Sequence, residues 1–202
     1  MAEQEPAAPT RESGPWDADE PHPDTDRIDL GGLRLPHNPE FDVRLASVGD
    51  QHVGVVVLYG DSSLQLQALA APRSTGLWDE VKTKILAQAK TLQEQEGPFG
   101  SELTGEVRME DGVRPARYMG IDGPRWFLLA AVTGPGALDE RVSGAFIDFV
   151  KDVVVVRGEE PMAREEPIPL SRPHERQATQ QQEEERPAFS PLKRGPEISE
   201  TR

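Results

Sequence analysis

The chain has 202 residues, with 22 Lys and Arg against 36 Asp and Glu, a formal net charge of −14 and no cysteine. That balance argues against non-specific contact with nucleic acid or anionic lipid, both of which need clustered positive charge. The missing cysteine excludes disulfides, thiolate chemistry and cysteine-ligated metal. No apolar run approaches the ~18 residues of a membrane span. The N-terminal string MAEQEPAAPTRESG has neither the basic start nor the apolar stretch of a secretory signal, so a cytoplasmic location is expected.

Charge and proline divide the chain in three. Residues 1–26 hold eight acids against the single base Arg11, with five prolines and Trp16 as the only aromatic. Such a segment buries too little apolar surface to offset its chain entropy, and a disordered acidic arm is predicted. Residues 158–202 are again rich in Pro, Glu and Gln and read as an extended or disordered tail. Between them, residues 27–157 carry 14 basic and 18 acidic residues and most of the aromatics. A segment of that size buries about two thirds of its unfolded surface, enough for one core.

In chain order, Phe41, Val43 and Leu45 alternate with polar residues as a half-buried strand does. After Gly49-Asp50 the β-branched run His52–Tyr59 suits a central strand, and Leu64, Leu66 and Ala68 alternate in a third. The period then changes. Leu77, Val81, Ile85, Ala89 and Leu92 recur at helical spacing, predicting a helix over Thr75–Gln95 with Asp79 and Glu80 in its first turn. Leu103 to Met109, Arg114 to Ile121 and Arg125 to Val132 form a second set of strands joined by Glu110-Asp111-Gly112 and Asp122-Gly123-Pro124 turns. Leu138, Val142, Phe146, Phe149 and Val150 mark a second amphipathic helix, and Val153–Val156 a last strand. Short turns make neighbouring strands antiparallel. The predicted class is therefore α+β, a mostly antiparallel sheet with two packed helices in the order βββ-α-βββ-α-β. That order resembles the Mog1 and PsbP sandwich.

Chemistry-bearing motifs are few. The four histidines His22, His37, His52 and His174 lack ligand spacing, and no P-loop, G-x-S-x-G or dinucleotide fingerprint occurs. No catalytic residue, metal ligand or cofactor is therefore assigned. Two groupings stand out as candidate ligand or partner contacts. Arg73 and Trp78 flank a helix start, where free backbone N–H groups can hold an anion, although a helix cap at Ser74 or Thr75 with Trp78 packed inward is the commoner arrangement. Arg125 and Trp126 open a strand, either as an interface anchor or as a core aromatic with a cation over its rim.

Several strings form a recognisable set: GPWD at 14–17, RIDLGGLRLP at 27–36, LQLQALAAPRSTGLWDEV at 64–81, GPFGSEL at 97–103, GPRWFLLAAVTGP at 123–135 and VVVVRGEEPMAREEPIPL at 153–170. Together they resemble an actinobacterial family known as a domain of unknown function (DUF 3710). The resemblance implies a cytoplasmic protein with no catalytic residues to carry over. It also implies that residues 158–170 lie along the domain.

Three functions are weighed: a non-catalytic accessory domain that binds a protein partner, a domain that binds a small anionic ligand, and an unrecognised hydrolase. A pocket holding Trp78 or Trp126 with an arginine pointing in would favour the second. A cleft joining His52 to carboxylates would favour the third.

Overall fold

The computed structural model describes residues 13–71 and 76–173. Three short strands come first, β1 (Trp16–Asp17), β2 (Arg27–Asp29) and β3 (Leu33–Pro36). Next are β4 (Asp42–Val48), β5 (Gln51–Tyr59), β6 (Ser62–Ala70) and helix α1 (Leu77–Gln88). The second half holds β7 (Gln93–Gly97), β8 (Gly100–Met109), β9 (Gly112–Asp122), β10 (Trp126–Thr133), α2 (Glu140–Lys151) and β11 (Val154–Val155). The expected α+β class holds, and the predicted order is extended by β1 to β3 and by β7.

Two meanders meet at their inner strands to give one seven-stranded antiparallel sheet in the order β4-β5-β6-β10-β9-β8-β7. Alternation along β10 explains the layering. Trp126, Leu128, Ala130 and Val132 face one core with Phe146, Phe149 and Val150 of α2, while Phe127 and Leu129 face a second with Leu77, Trp78 and Val81 of α1. A second, four-stranded sheet, β1-β11-β3-β2, contributes Leu33, Leu35 and Val155 to the first core. The buried carboxylate of Glu102 on β8 pairs at 2.8 Å with Arg117 of β9, whose guanidinium also donates to Ser143 of α2. That chain of polar contacts ties α2 to the sheet.

Three sequence expectations change. The mid-chain helix ends at Gln88, because Gln93–Gly97 pairs with β8 in the register Gln93 opposite Thr104. Leu92 still enters the α1 core, now from extended backbone. The polar run Gln93 to Glu96 suits an exposed sheet edge, where charge discourages further pairing.

The predicted acidic arm is shortened. Trp16 and Asp17 pair in parallel with Val154 and Val155, Gly14 and Pro15 are buried, and Thr25 donates to Asp152. Residues 13–26 therefore lie on the domain, and residues 1–12 of that expectation fall outside the described residues. Composition missed this because β1 finds its partner only at the far end of the chain.

Residues 163–171 form a strap that fills a gap where β5 and β6 part. Glu165 and Ile168 donate to the carbonyls of Ala70 and Ala68, Leu170 to that of His52, and Ser171 to that of Leu30. Ile168 and Leu170 are buried in the α2-side core. Gly32 lets the strap approach, since a Cβ there would meet Ile168 Cγ2 at 2.5 Å. Residues 174–202 of the expected tail lie outside the described residues.

A domain cut at residue 157 would lose this strap. Full burial of each of its two large side chains is worth about 1.5–3 kcal/mol, and its backbone bonds add to that. A chain ending at Arg157 should unfold at clearly lower urea than one ending at Pro173, by roughly 4 kcal/mol. Equal midpoints would show the strap to be ornamental.

Candidate functional site

Arg73 lies outside the described residues, as do Ser74 and Thr75. Helix α1 starts after Gly76, whose φ is 109°, without a side-chain cap bond. The other three candidates are placed by internal contacts, and they do not converge on one site.

Trp78 is buried and stacks on Phe127 with ring centroids 6.2 Å apart. Its indole N–H donates to the Ser101 carbonyl at 2.6 Å. Gly120 makes room for the ring, because a Cβ there would sit 2.3 Å from it. Trp126 is fully buried, and its N–H donates to Asp17 Oδ2 at 2.6 Å. Both tryptophans are thus core residues, not surface anchors. Each indole needs one polar partner when buried, and each finds it inside the protein. Arg125 donates to the Gly158 carbonyl at 2.8 Å and so holds the start of the chain that becomes the strap.

Around Trp78 lies a polar network. Lys82, nearly buried, reaches Glu94 at 2.5 Å, Ser101 Oγ at 2.7 Å and Asp79 at 3.0 Å, with its ammonium 5.9 Å from the Trp78 ring centre. The hydrogen bond to Glu94 raises the Lys82 pKa above its ordinary value, and the same bond lowers that of Glu94. The network pins α1 to the β7–β8 hairpin.

His52 sits opposite Ser47 in the β4–β5 hairpin, with Ser47 Oγ 2.7 Å from its Nδ1. A cavity of about 350 Å³ lined by Ile28, Leu30, Val43 and Leu45 adjoins the pair. Among the described residues no carboxylate is hydrogen-bonded to His52. The pair ties β4 to β5 across the hairpin. Among the described residues no three His, Asp or Glu side chains are grouped to hold a metal ion.

The surface feature that sequence reasoning missed is one end of the large sheet. Thr133, the last residue of β10, pairs with Ala116, so the β8–β9 hairpin beyond that point projects past its neighbour. Four large apolar side chains stand exposed among the described residues: Val48 at 71%, Leu138 at 66%, Val113 at 55% and Met109 at 46%. Met109 and Val113 belong to the projecting hairpin, and Leu138 follows the turn that leaves β10. At the foot of the hairpin, Leu58, Asp61, Arg114, Pro115 and Pro135 line a cavity of about 510 Å³. Nothing in a local window separates these exposed positions from ordinary hairpin residues; only the register does.

With the geometry in view, the sequence pattern of the family described as "Protein of unknown function (DUF3710)" matches residues 14–179. The chain belongs to that family. Its match begins within the N-terminal segment that packs on the domain and runs past the strap. No curated protein matches the sequence significantly. Among solved structures the chain is similar to cyanobacterial PsbP (CyanoP) from Synechocystis sp. PCC 6803. Identity is 13% and the TM-score 0.41, over 64% of this chain and 91% of that one. It is also similar to a protein from Bacteroides thetaiotaomicron VPI-5482 at 7% identity and a TM-score of 0.39, over 65% of this chain and 47% of that one. No helix of the described residues is long and apolar enough to cross a membrane.

The Lys82–Glu94 pair generates a pH prediction. Because the Glu94 pKa is lowered on folding, its stabilisation is present above the ordinary value of 4.5 and is lost as pH falls through the folded value. The Lys82 contribution runs the other way, present below 10.5 and lost as pH rises through its raised folded value. Glu94→Gln should therefore flatten the fall in melting temperature on the acid side of pH 4.5 while leaving the fold intact at that pH. Thermal scans across pH 3 to 6, parallel for both proteins, would refute the coupling.

Proposed function

We propose that this chain is a non-catalytic accessory domain that binds a protein partner through the projecting end of its large sheet. The observation that carries the reading is the gathering of Met109, Val113 and Leu138, three of the four exposed large apolar side chains among the described residues, at that end. Apolar groups clustered on an otherwise charged surface are the usual source of docking energy, with charge at the rim setting orientation. Arg114, held by Asp111 at the hairpin turn, supplies such a rim. Residues 1–12, with three acids against one base, and residues 174–202, with six acids against five bases, would adjust encounter rate and salt sensitivity, not anchor the partner. A cytoplasmic setting, which the family resemblance implies, belongs to the same proposal.

The test compares three immobilised full-length proteins in cytoplasmic extract of the source organism: wild type, Met109→Glu/Val113→Glu and Val48→Glu. All three substituted positions are exposed, so folding should be retained and is checked by circular dichroism. A partner captured by wild type and Val48→Glu should fall by about ten-fold or more with the double variant, the loss of one or two anchors. Equal capture by all three proteins would reject this surface.

A further inference from the structure

We propose that the cleft between the C-terminal half of α1 and strands β8 to β10 binds an amphipathic anion, a compact apolar body carrying one carboxylate or phosphate group. The cleft has a volume of about 540 Å³, within the range of small-molecule sites. Ile85, Val107, Tyr118 and Leu129 line it, with Lys90 and Arg108 among the same lining residues and no acid.

Among the described residues, most other cations are occupied. Arg27, Arg34, Arg44, Lys82, Lys84, Arg114, Arg117, Lys151 and Arg164 all form ion pairs, and Arg125 and Arg157 donate to backbone carbonyls. Among the described residues Lys90, Arg108 and Arg141 take no such partner, and two of these three share the cleft. Glu106 and Glu110 lie two positions either side of Arg108, yet no ion pair joins either of them to it. Two cations without an ion-pair partner, lining one apolar-walled cleft that no acid lines, are what an anion contact requires.

Tyr118 adds a donor. Its ring is half-buried and its hydroxyl has no hydrogen-bond partner among the described residues. Burial pushes its pKa up, which keeps the O–H neutral and able to donate. The C-terminal end of α1 carries no basic residue in its last turn, so its free carbonyls repel an anion there. Lys90, just beyond, offsets that end, and the anionic group is best held nearer Arg108.

The experiment is an NMR titration of the full chain with octanoate, octyl phosphate and neutral octan-1-ol. Amide shifts should centre on residues 85–91, 107–108, 118 and 129, with octan-1-ol at least about ten-fold weaker than the better anion. Whichever anion binds more tightly identifies the headgroup. Arg108→Gln should weaken binding by about ten-fold, Lys90→Gln by about three-fold, and Arg141→Gln, on the opposite face of the sheet, not at all. All three are exposed, so unchanged spectra elsewhere will confirm the fold. Octan-1-ol binding as well as the anions, equal effects of Arg108→Gln and Arg141→Gln, or no shifts up to about 10 mM ligand would each overturn the assignment.

Discussion

Strand β10 is apolar on both faces, and the rest of the structure depends on that. A strand of an antiparallel sheet with one solvated face alternates apolar and polar residues; a near-continuous run such as WFLLAAV demands cover on both sides. One side is met by α2 with the small sheet, the other by α1. Each cover must then be fixed laterally. On one face the Trp126 N–H reaches Asp17 and draws the N-terminal segment over the core. On the other, Trp78 stacks on Phe127 and donates to Ser101, setting where α1 lies across β8 and β9. Both indole contacts are polar bonds within apolar surroundings, so they specify position more than they add stability.

The strong periodic elements were legible in the sequence for this reason. Alternation at Phe41 to Leu45, the run to Tyr59, the β8–β9 pair and the apolar stripe of α2 are each decided within a dozen residues. What escaped was decided elsewhere. The tract Gln93 to Gly97 looks like the end of a polar helix until β8 offers it a ladder. The two residues of β1 and the strap at Ile168 and Leu170 owe their conformation to partners more than fifty positions away, which a local window does not see. Proline and acid counts then misled, because residues such as Pro15 and Pro167 occupy positions that rest on the sheets without needing a donor of their own.

The candidate residues show the same division. An aromatic beside an arginine fits two arrangements, and burial decides for the inward one at both Trp78 and Trp126. Arg125 turned out to clamp a neighbouring carbonyl. The hairpin end and the α1 cleft carried only weak signals, since Met109, Val113 and Arg108 sit in an ordinary alternating hairpin. Their distinction is negative: no layer covers the first two, and no carboxylate meets the third. Knowing this requires knowing where every other acid went.

Electrostatics on two length scales then act against each other. The chain carries −14 overall; residues 27–157 hold about four of those charges, and most of the rest lies on the N-terminal segment 13–26 and on residues 158–173, which pack on the same domain. At physiological ionic strength the field of these charges decays over about 8 Å, whereas Lys90 and Arg108 act within contact distance. An anion approaching the α1 cleft meets the net negative field of the domain at a distance and the two cations at contact. Added salt screens the long-range repulsion and the exposed cation contacts alike, so the sign of the salt dependence reports which of the two prevails at the cleft. The apolar contacts at the hairpin end are insensitive to salt by comparison, with charge acting there on encounter and not on anchoring. Salt dependence thus separates the two surfaces on physical grounds, even though they lie on the same end of the sheet.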